Sequence, residues 1–382
     1  MTKNSILSIS LFNGATKFLK EGSIFFIGVY LHQIGFSGAE IGIIFAVYMI
    51  TGIFTILPSG FSNDRFHSKS LLLFSLILLA IQYLALAKFN SFLFLLPTFF
   101  LGGIGRTLYP ISIDSIFYRS TKKEDVASKI GLFQSINYIM LGLGMMLAGY
   151  LLNINIPFET LFTIIGIGFL VMAAISQIIL PHNVQSEFEI IQYKKDIFRP
   201  KVLFFMLIMF LFAIHFGAEE TTYGLFLKKT LGLSPLHMGI YMGLPIMFMA
   251  VTTLTIGQKL KKFQTKNILL LGLVTSGVGH IFMTTTQLEI SFLFRVIHEM
   301  GDAAMFFFLY YGITQLFDLD RIGGNVGIFA FITTIGGAIG AFFFGPLGEI
   351  YGYHIPFIIS GITSLIAFLF ATQFTHLIDH KA

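Results

Sequence analysis

Apolar residues in this chain gather into long runs set apart by short polar punctuation. A helix needs about 20 apolar residues to cross a hydrocarbon core of about 30 Å. Twelve runs of that kind lie near residues 6–32, 39–58, 70–88, 92–118, 129–152, 158–180, 202–227, 235–256, 267–286, 290–316, 325–347 and 355–375. The one long polar stretch, Pro181 to Pro200, falls between the sixth and seventh. It reads as a linker with an amphipathic helix around Phe188, Ile191 and Phe198. The pattern predicts an all-α polytopic membrane protein of twelve transmembrane helices. Its N-terminal six-helix half covers residues 1–180, the linker 181–200 and the C-terminal half 201–382.

Composition agrees. Of 382 residues 55% are hydrophobic and 11% charged, where a soluble domain carries about 25% charged residues. Forty-six phenylalanines suit a lipid-facing surface, and the absence of Trp leaves Tyr for any interfacial belt. With no cysteine there is no disulfide framework, thiolate metal site or cysteine nucleophile. Lys17, Lys20 and Glu21 interrupt the first run, so it does not read as a cleaved signal.

Lys and Arg accumulate on the cytoplasmic side of membrane proteins. Placing both termini and the even-to-odd loops inside collects 17 of the 24 Lys and Arg; the opposite loops hold three, Lys88, Lys228 and Lys229, and the spans hold four. Both termini are expected in the cytoplasm, with the chain in the cytoplasmic (inner) membrane.

The halves resemble each other. A shift of 197 residues superposes Gly35 on Gly232, Ser37 on Ser234, Gly42 on Gly239, Gly60 on Gly257, Phe66 on Phe263 and Lys69 on Lys266. A shift of 199 carries Gly149 onto Gly348 and Ile156-Pro157-Phe158 onto Ile355-Pro356-Phe357. Parallel six-helix repeats are one way in which transporters are built.

The loop after the second span runs Gly60-Phe-Ser-Asn-Asp64-Arg65-Phe66-His67-Ser68-Lys69. Its acid, Asp64, is placed to pair with basic groups or a helix N-terminus in the other half. The segment resembles the signature loop of major facilitator transporters, with His67 where Gly is usual and Ser68 in place of a basic residue. Its copy after the eighth span keeps Gly257, Lys262 and Lys266 but has Lys261 at the acid position. The resemblance implies a gating role for Gly60, Asp64 and Arg65.

Charges inside a membrane are costly and tend to face a cavity or pathway. Here they are Lys17, Lys20 and Glu21 in the first span, Arg106 and Asp114 in the fourth, Glu219 and Glu220 in the seventh, and Arg295, Glu299 and Asp302 in the tenth. In major facilitator transporters those four helices line the central cavity, which the resemblance extends to this chain. Lys17/Glu21, His215/Glu219, Arg295/Glu299 and His298/Asp302 are each four apart, hence on one helix face. Histidine beside a carboxylate is a natural proton relay, and His280 in the ninth span reads as a packing residue.

The tenth span resembles that of lactose-permease-type sugar/proton symporters: a cation three residues before His298, an acid one turn after it, and the later Ile313-Thr314-Gln315-Leu316-Phe317. Gly301 stands where those symporters carry their acid. Arg106, within Gly103-Ile-Gly105-Arg106, and Gly142, Gly144 and Gly149 in the fifth span resemble proton-coupled drug and metabolite exporters, although Met145 replaces that motif's proline.

The expected function is proton-coupled transport of a small polar organic solute, neutral, zwitterionic or cationic, by alternating access and leaning to export. Four intramembrane cations against six acids give a cavity of formal charge −2. The alternatives are sugar-like uptake by symport, divalent metal transport through His215, Glu219 and His298, and a non-transporting receptor. Neither a nucleophile–base–acid set nor a phosphate-cradling loop is present, so no enzyme activity and no cofactor are expected. The expected partners are the solute, protons and the bilayer, with no nucleic acid, and the chain is expected to act as a monomer.

Overall fold

The structure, a computed structural model, describes residues 4–182, 191–260 and 262–374. Within them the side chains of residues 4–5, 21–25, 29, 38–39 and 123 are not described, so Glu21 is known only by its backbone. Lys261 and Phe188 lie outside the described residues.

Twelve long helices and one short one follow in order: α1 (Asn4–Gln33), α2 (Gly38–Arg65), α3 (Ser68–Lys88), α4 (Phe92–Arg119), α5 (Val126–Asn153), α6 (Phe158–Ile179), the short α7 (Ile191–Ile197), α8 (Pro200–Leu225), α9 (Pro235–Lys259), α10 (Thr265–Phe282), α11 (Leu288–Leu316), α12 (Ile322–Tyr351) and α13 (Ile355–Gln373). The seventh and tenth spans of the sequence are thus α8 and α11. Nine of the described helices are long and apolar enough, by length and composition alone, to cross a membrane. The other long ones are α1, α10 and α11. Helix α1 carries Lys17, Lys20 and Glu21, α11 carries Arg295, Glu299 and Asp302, and α10, 18 residues long, holds Lys266, Asn267 and His280.

The repeat has a physical basis at the entry to α2 and α9. Gly35 and Gly232 both adopt positive φ, 99° and 67°, a conformation glycine enters without steric cost. Two residues on, Ser37 and Ser234 each cap the following helix. Ser37 does so in a reciprocal capping box with Glu40. Ser234 accepts from the backbone of His237, with Pro235 in the first turn.

Helix α1 packs on α5 and α6, α3 on α4 and α6, and α2 on α4. Beyond the linker α8 packs on α12 and α13, α10 on α11 and α13, and α9 on α11. Two seams join the sets. Along α5 and α9, glycines face one another from end to end: a Cβ on Gly131 would lie 3.2 Å from Gly257 Cα, one on Gly149 3.1 Å from Gly239 Cα, and one on Gly142 would strike the Gly243 carbonyl. Small residues permit this backbone approach, which lipid-embedded helices use in place of a hydrophobic driving force. The second seam, α2 with α12, is tight at the linker end, where Gly60 meets Gly323, Gly324 and Gly327. Beyond it, from Ile56 on α2 and Val326 on α12, both helices line a cavity. Large apolar side chains such as Phe54, Leu93, Phe94, Ile178 and Leu369 are exposed on the outside of the bundle, as a lipid-facing surface requires.

The linker helix differs from its expected form. Ile191 and Phe198 are exposed, whereas Tyr193 and Asp196 are buried. The buried side of α7 is polar because it docks on charged groups of both halves, not on an apolar groove.

Candidate functional site

Three assemblies carry most of the intramembrane and gating charges. The first is a latch at the linker end. Asp64, at the last turn of α2, accepts backbone hydrogen bonds from Gly323 at 2.8 Å and Gly324 at 2.6 Å, at the N-terminus of α12. It also accepts from the Tyr193 hydroxyl at 2.6 Å and from Arg119 at 2.5 Å. A carboxylate here meets unsatisfied N–H groups and the positive end of the helix dipole. Burial, then the Asp64 carboxylate, pushes the Tyr193 phenol well above its ordinary pKa, so it stays a donor. Asp196 of α7 in turn receives Arg321 at 2.9 Å. The sequence leaves basic groups and a helix N-terminus of the other half both open as partners of Asp64, and in the structure the helix N-terminus of α12 meets it. Neither Arg119 nor Tyr193 was singled out by the sequence.

The second assembly lies between α8, α10 and α11. Arg295 is ion-paired with both Glu219 of α8 and Glu299 one turn along α11. Its guanidinium lies 4.5 Å from the centre of the Tyr223 ring. His298 Nε2 stands 3.3 Å from Glu219 and 3.6 Å from Asp302. His215 Nε2 stands 3.1 Å from Asp302 Oδ2, and Ser276 Oγ donates to Asp302 Oδ1 at 2.7 Å. His280 stacks on His298 with ring centres 4.3 Å apart, and its Nε2 lies 3.9 Å from Glu219.

The tautomers follow from the partners. His215 Nδ1 faces the Phe212 carbonyl and His298 Nδ1 the Ser276 carbonyl. A carbonyl only accepts, so both Nδ1 atoms carry hydrogen. In the neutral rings each Nε2 is then a lone pair aimed at a carboxylate oxygen. That contact is repulsive until a proton or a cation occupies it. Among the described residues, His215, His298 and Asp302, and likewise Glu219, His280 and His298, hold their ligand atoms within 4.8 Å of one another, near enough to share a metal ion.

The third assembly is the cavity between the halves, about 900 Å³. Its wide part is bounded mainly by apolar side chains such as Phe45, Tyr48, Met49, Phe216 and Phe306, with Arg106 and Glu220 facing each other across it at 3.7 Å. Pro110, Asp114, Phe306 and Thr333 also belong to a smaller chamber of about 270 Å³, which Lys17 and Asn137 line. Tyr310 of α11 donates its hydroxyl to Asp114 of α4, 2.9 Å from either oxygen.

The charges read together in the sequence are therefore divided. Lys17, Arg106, Asp114 and Glu220 line the cavity. His215, Arg295, His298, Glu299 and Asp302 are buried within the second half, Glu219 beside them, and none of the six is in the wall of this cavity. Lys20 is buried. Among the described side chains the charges that line the cavity, Lys17, Arg106, Asp114 and Glu220, sum to zero, where −2 was expected with all ten charges placed there. His280 was read as packing, yet it belongs to the cluster. The signal that could have found it is Ser276/His280, four apart on one face of α10.

A bundle of apolar helices around a central cavity, latched at one end and holding buried charges, defines a membrane transporter fold. The Major Facilitator Superfamily model matches residues 6–276 and 224–377, and the chain belongs to that family. Its members and its structural neighbours are transporters, not enzymes. No curated protein matches the sequence. Among solved structures, it is similar to the human organic anion transporter MFSD10 (TETRAN), with TM-score 0.79 and 13% identity over 97% of this chain and 99% of that one. It is similar to the proton:xylose symporter XylE bound to 6-bromo-6-deoxy-D-glucose, TM-score 0.76 and 15% identity over 98% and 96%. A bacterial homologue of the iron transporter ferroportin, outward-facing with soaked iron, gives TM-score 0.76 and 15% identity over 100% of both chains. At such identities the likeness concerns the fold.

Proposed function

We propose that this chain is a secondary active transporter that moves a small polar organic solute across the cytoplasmic membrane by alternating access, driven by protons. The linker end, rich in Lys and Arg, is taken as the cytoplasmic face, with both termini there and the chain acting as a monomer of two six-helix halves, 1–180 and 201–382. The state described is then closed to the cytoplasm and open outward.

The observation that carries the coupling is the pair of histidines whose Nδ1 atoms are tied to carbonyls while their Nε2 lone pairs face carboxylates. With neutral histidines, Arg295 against Glu219, Glu299 and Asp302 leaves a buried formal charge of −2. A buried net charge is strongly disfavoured. Two protons restore neutrality, so the cluster has reason to load them from one side and release them when the halves rock. Asp302 with His215 and His298 holds the protons; Glu219 and Glu299 hold Arg295.

The test is pH-jump transport and counterflow in proteoliposomes. Asp302→Asn should abolish proton-driven accumulation while sparing counterflow, which needs binding and rocking but no net proton movement. Full pH-driven transport in Asp302→Asn and Glu299→Gln together would remove the cluster from coupling.

One divalent cation would neutralise the cluster as two protons do, and the likeness in fold to the ferroportin homologue makes a metal the second reading. Thermal stabilisation by Mn2+, Co2+ or Zn2+ that His215→Ala removes, with no pH-driven flux of any organic solute, would favour it over the first.

A further inference from the structure

The geometry points to the chamber around Asn137 as the binding site for a neutral, hydroxyl-rich solute of about monosaccharide size. This rests on the transport reading above and adds the substrate's chemistry. The chamber, about 270 Å³, lies just below the usual range for ligand pockets. It is bounded by α1, α4, α5, α11 and α12, so both halves contribute to it.

Charge excludes most classes. Among the described side chains the two cations and two acids of the cavity offset one another: Lys17 and Asp114 in the chamber, Arg106 and Glu220 in the wide part. A solute with net charge would unbalance a site of low dielectric, where an uncompensated charge is expensive. A zwitterion would need bare charges of both signs. The carboxylate of Asp114 is already engaged by the Tyr310 hydroxyl across the two halves.

What the chamber offers instead are neutral groups. Asn13, Gln134 and Asn137 supply amides, and Tyr138 a phenol. An amide donates from nitrogen and accepts at oxygen, and a phenol does both, which is what a hydroxyl group also does. The Asn137 side chain is 5% exposed and its Oδ1 has no hydrogen-bond partner. A buried acceptor of that kind is costly to leave unsatisfied, and a ligand hydroxyl would satisfy it. Phe306 and Tyr310 add aromatic faces for the C–H side of a sugar-like ring. Because Tyr310 also bridges to Asp114, a solute seated there lies beside a contact that must break for the linker end to open.

The experiment is thermal shift of the purified full chain at fixed pH with D-xylose, D-glucose and myo-inositol, set against L-alanine, glycine betaine and tetraethylammonium. A polyol should raise Tm, and Asn137→Leu should weaken that response at least about tenfold, as loss of a hydrogen bond and an unmet ligand hydroxyl imply. Tyr138→Phe, a smaller change, should weaken it in the same direction if Asn137→Leu does not fold. Stabilisation by L-alanine, glycine betaine or tetraethylammonium and by no polyol would overturn the assignment, as would no shift with any polyol or a polyol response untouched by both variants. No proton gradient is used, so failure of the coupling reading leaves these outcomes unchanged. An overturned assignment likewise leaves the Asp302→Asn test standing.

Discussion

Asp64 on α2 and Gly324 on α12 lie 260 residues apart, and the carboxylate of one accepts the backbone N–H of the other at 2.6 Å. With Gly323 beside it, the acid closes the N-terminus of α12 and ties the two halves at the linker end. This contact has to be given up whenever that end opens.

Asp64→Asn keeps the shape but removes the charge that Arg119 and the α12 terminus hold. A charge-assisted hydrogen bond contributes about 1.5–3 kcal/mol, so the equilibrium should move at least about tenfold toward the linker-open state and transport should slow. Cysteines introduced on this Cys-free background would report it. Unchanged labelling at both ends would count against the latch.

Tyr193 ties the linker helix to the same carboxylate at 2.6 Å. Tyr193→Phe removes one donor and leaves the ring contact with Phe61. The expected shift has the same direction as in Asp64→Asn but is smaller, because only one of the donors to the carboxylate is lost and its charge remains. Labelling rates at a single reporter site in the two variants would rank them, and a larger effect for Tyr193→Phe would contradict the geometry.

Arg295 is nearly fully buried between two acids. Arg295→Gln strands both, and breaking a buried pair costs about 3–5 kcal/mol. Yield, Tm and counterflow should fall together. Asp302→Asn, whose partners are two histidines and Ser276, should lose far less Tm. Equal losses in the two variants would show that the cluster acts as one structural unit.

At the α5/α9 seam, Gly142→Ala places a methyl against the Gly243 carbonyl. Backbone atoms cannot step aside as a flexible side chain can, so about 1–3 kcal/mol of destabilisation is expected. Gly42→Ala, with open space around its Cβ, is the control, and helix propensity favours it by up to about 1 kcal/mol. A thermal melt in detergent compares them; equal Tm values would refute close packing at Gly142.

The sequence by itself determined the spans and the entry to α2, because each depends on local chemistry, while for Asp64 it left basic groups and a helix N-terminus both open. A bilayer demands about 20 apolar residues in succession, and Gly35-Phe36-Ser37 writes its own turn and cap. Helical spacing also told which residues share a face, as His298 and Asp302 do. Tertiary structure alone decided where each face points. Lipid is as apolar as a helix interface, so the pattern along α8, α10 and α11 does not distinguish a face turned to the cavity from one turned to a neighbouring helix. Packing among these three, remote in sequence, moved Arg295, Glu299 and Asp302 out of the cavity and brought His280 to their side. It left Lys17, Arg106, Asp114 and Glu220 facing the space between the halves.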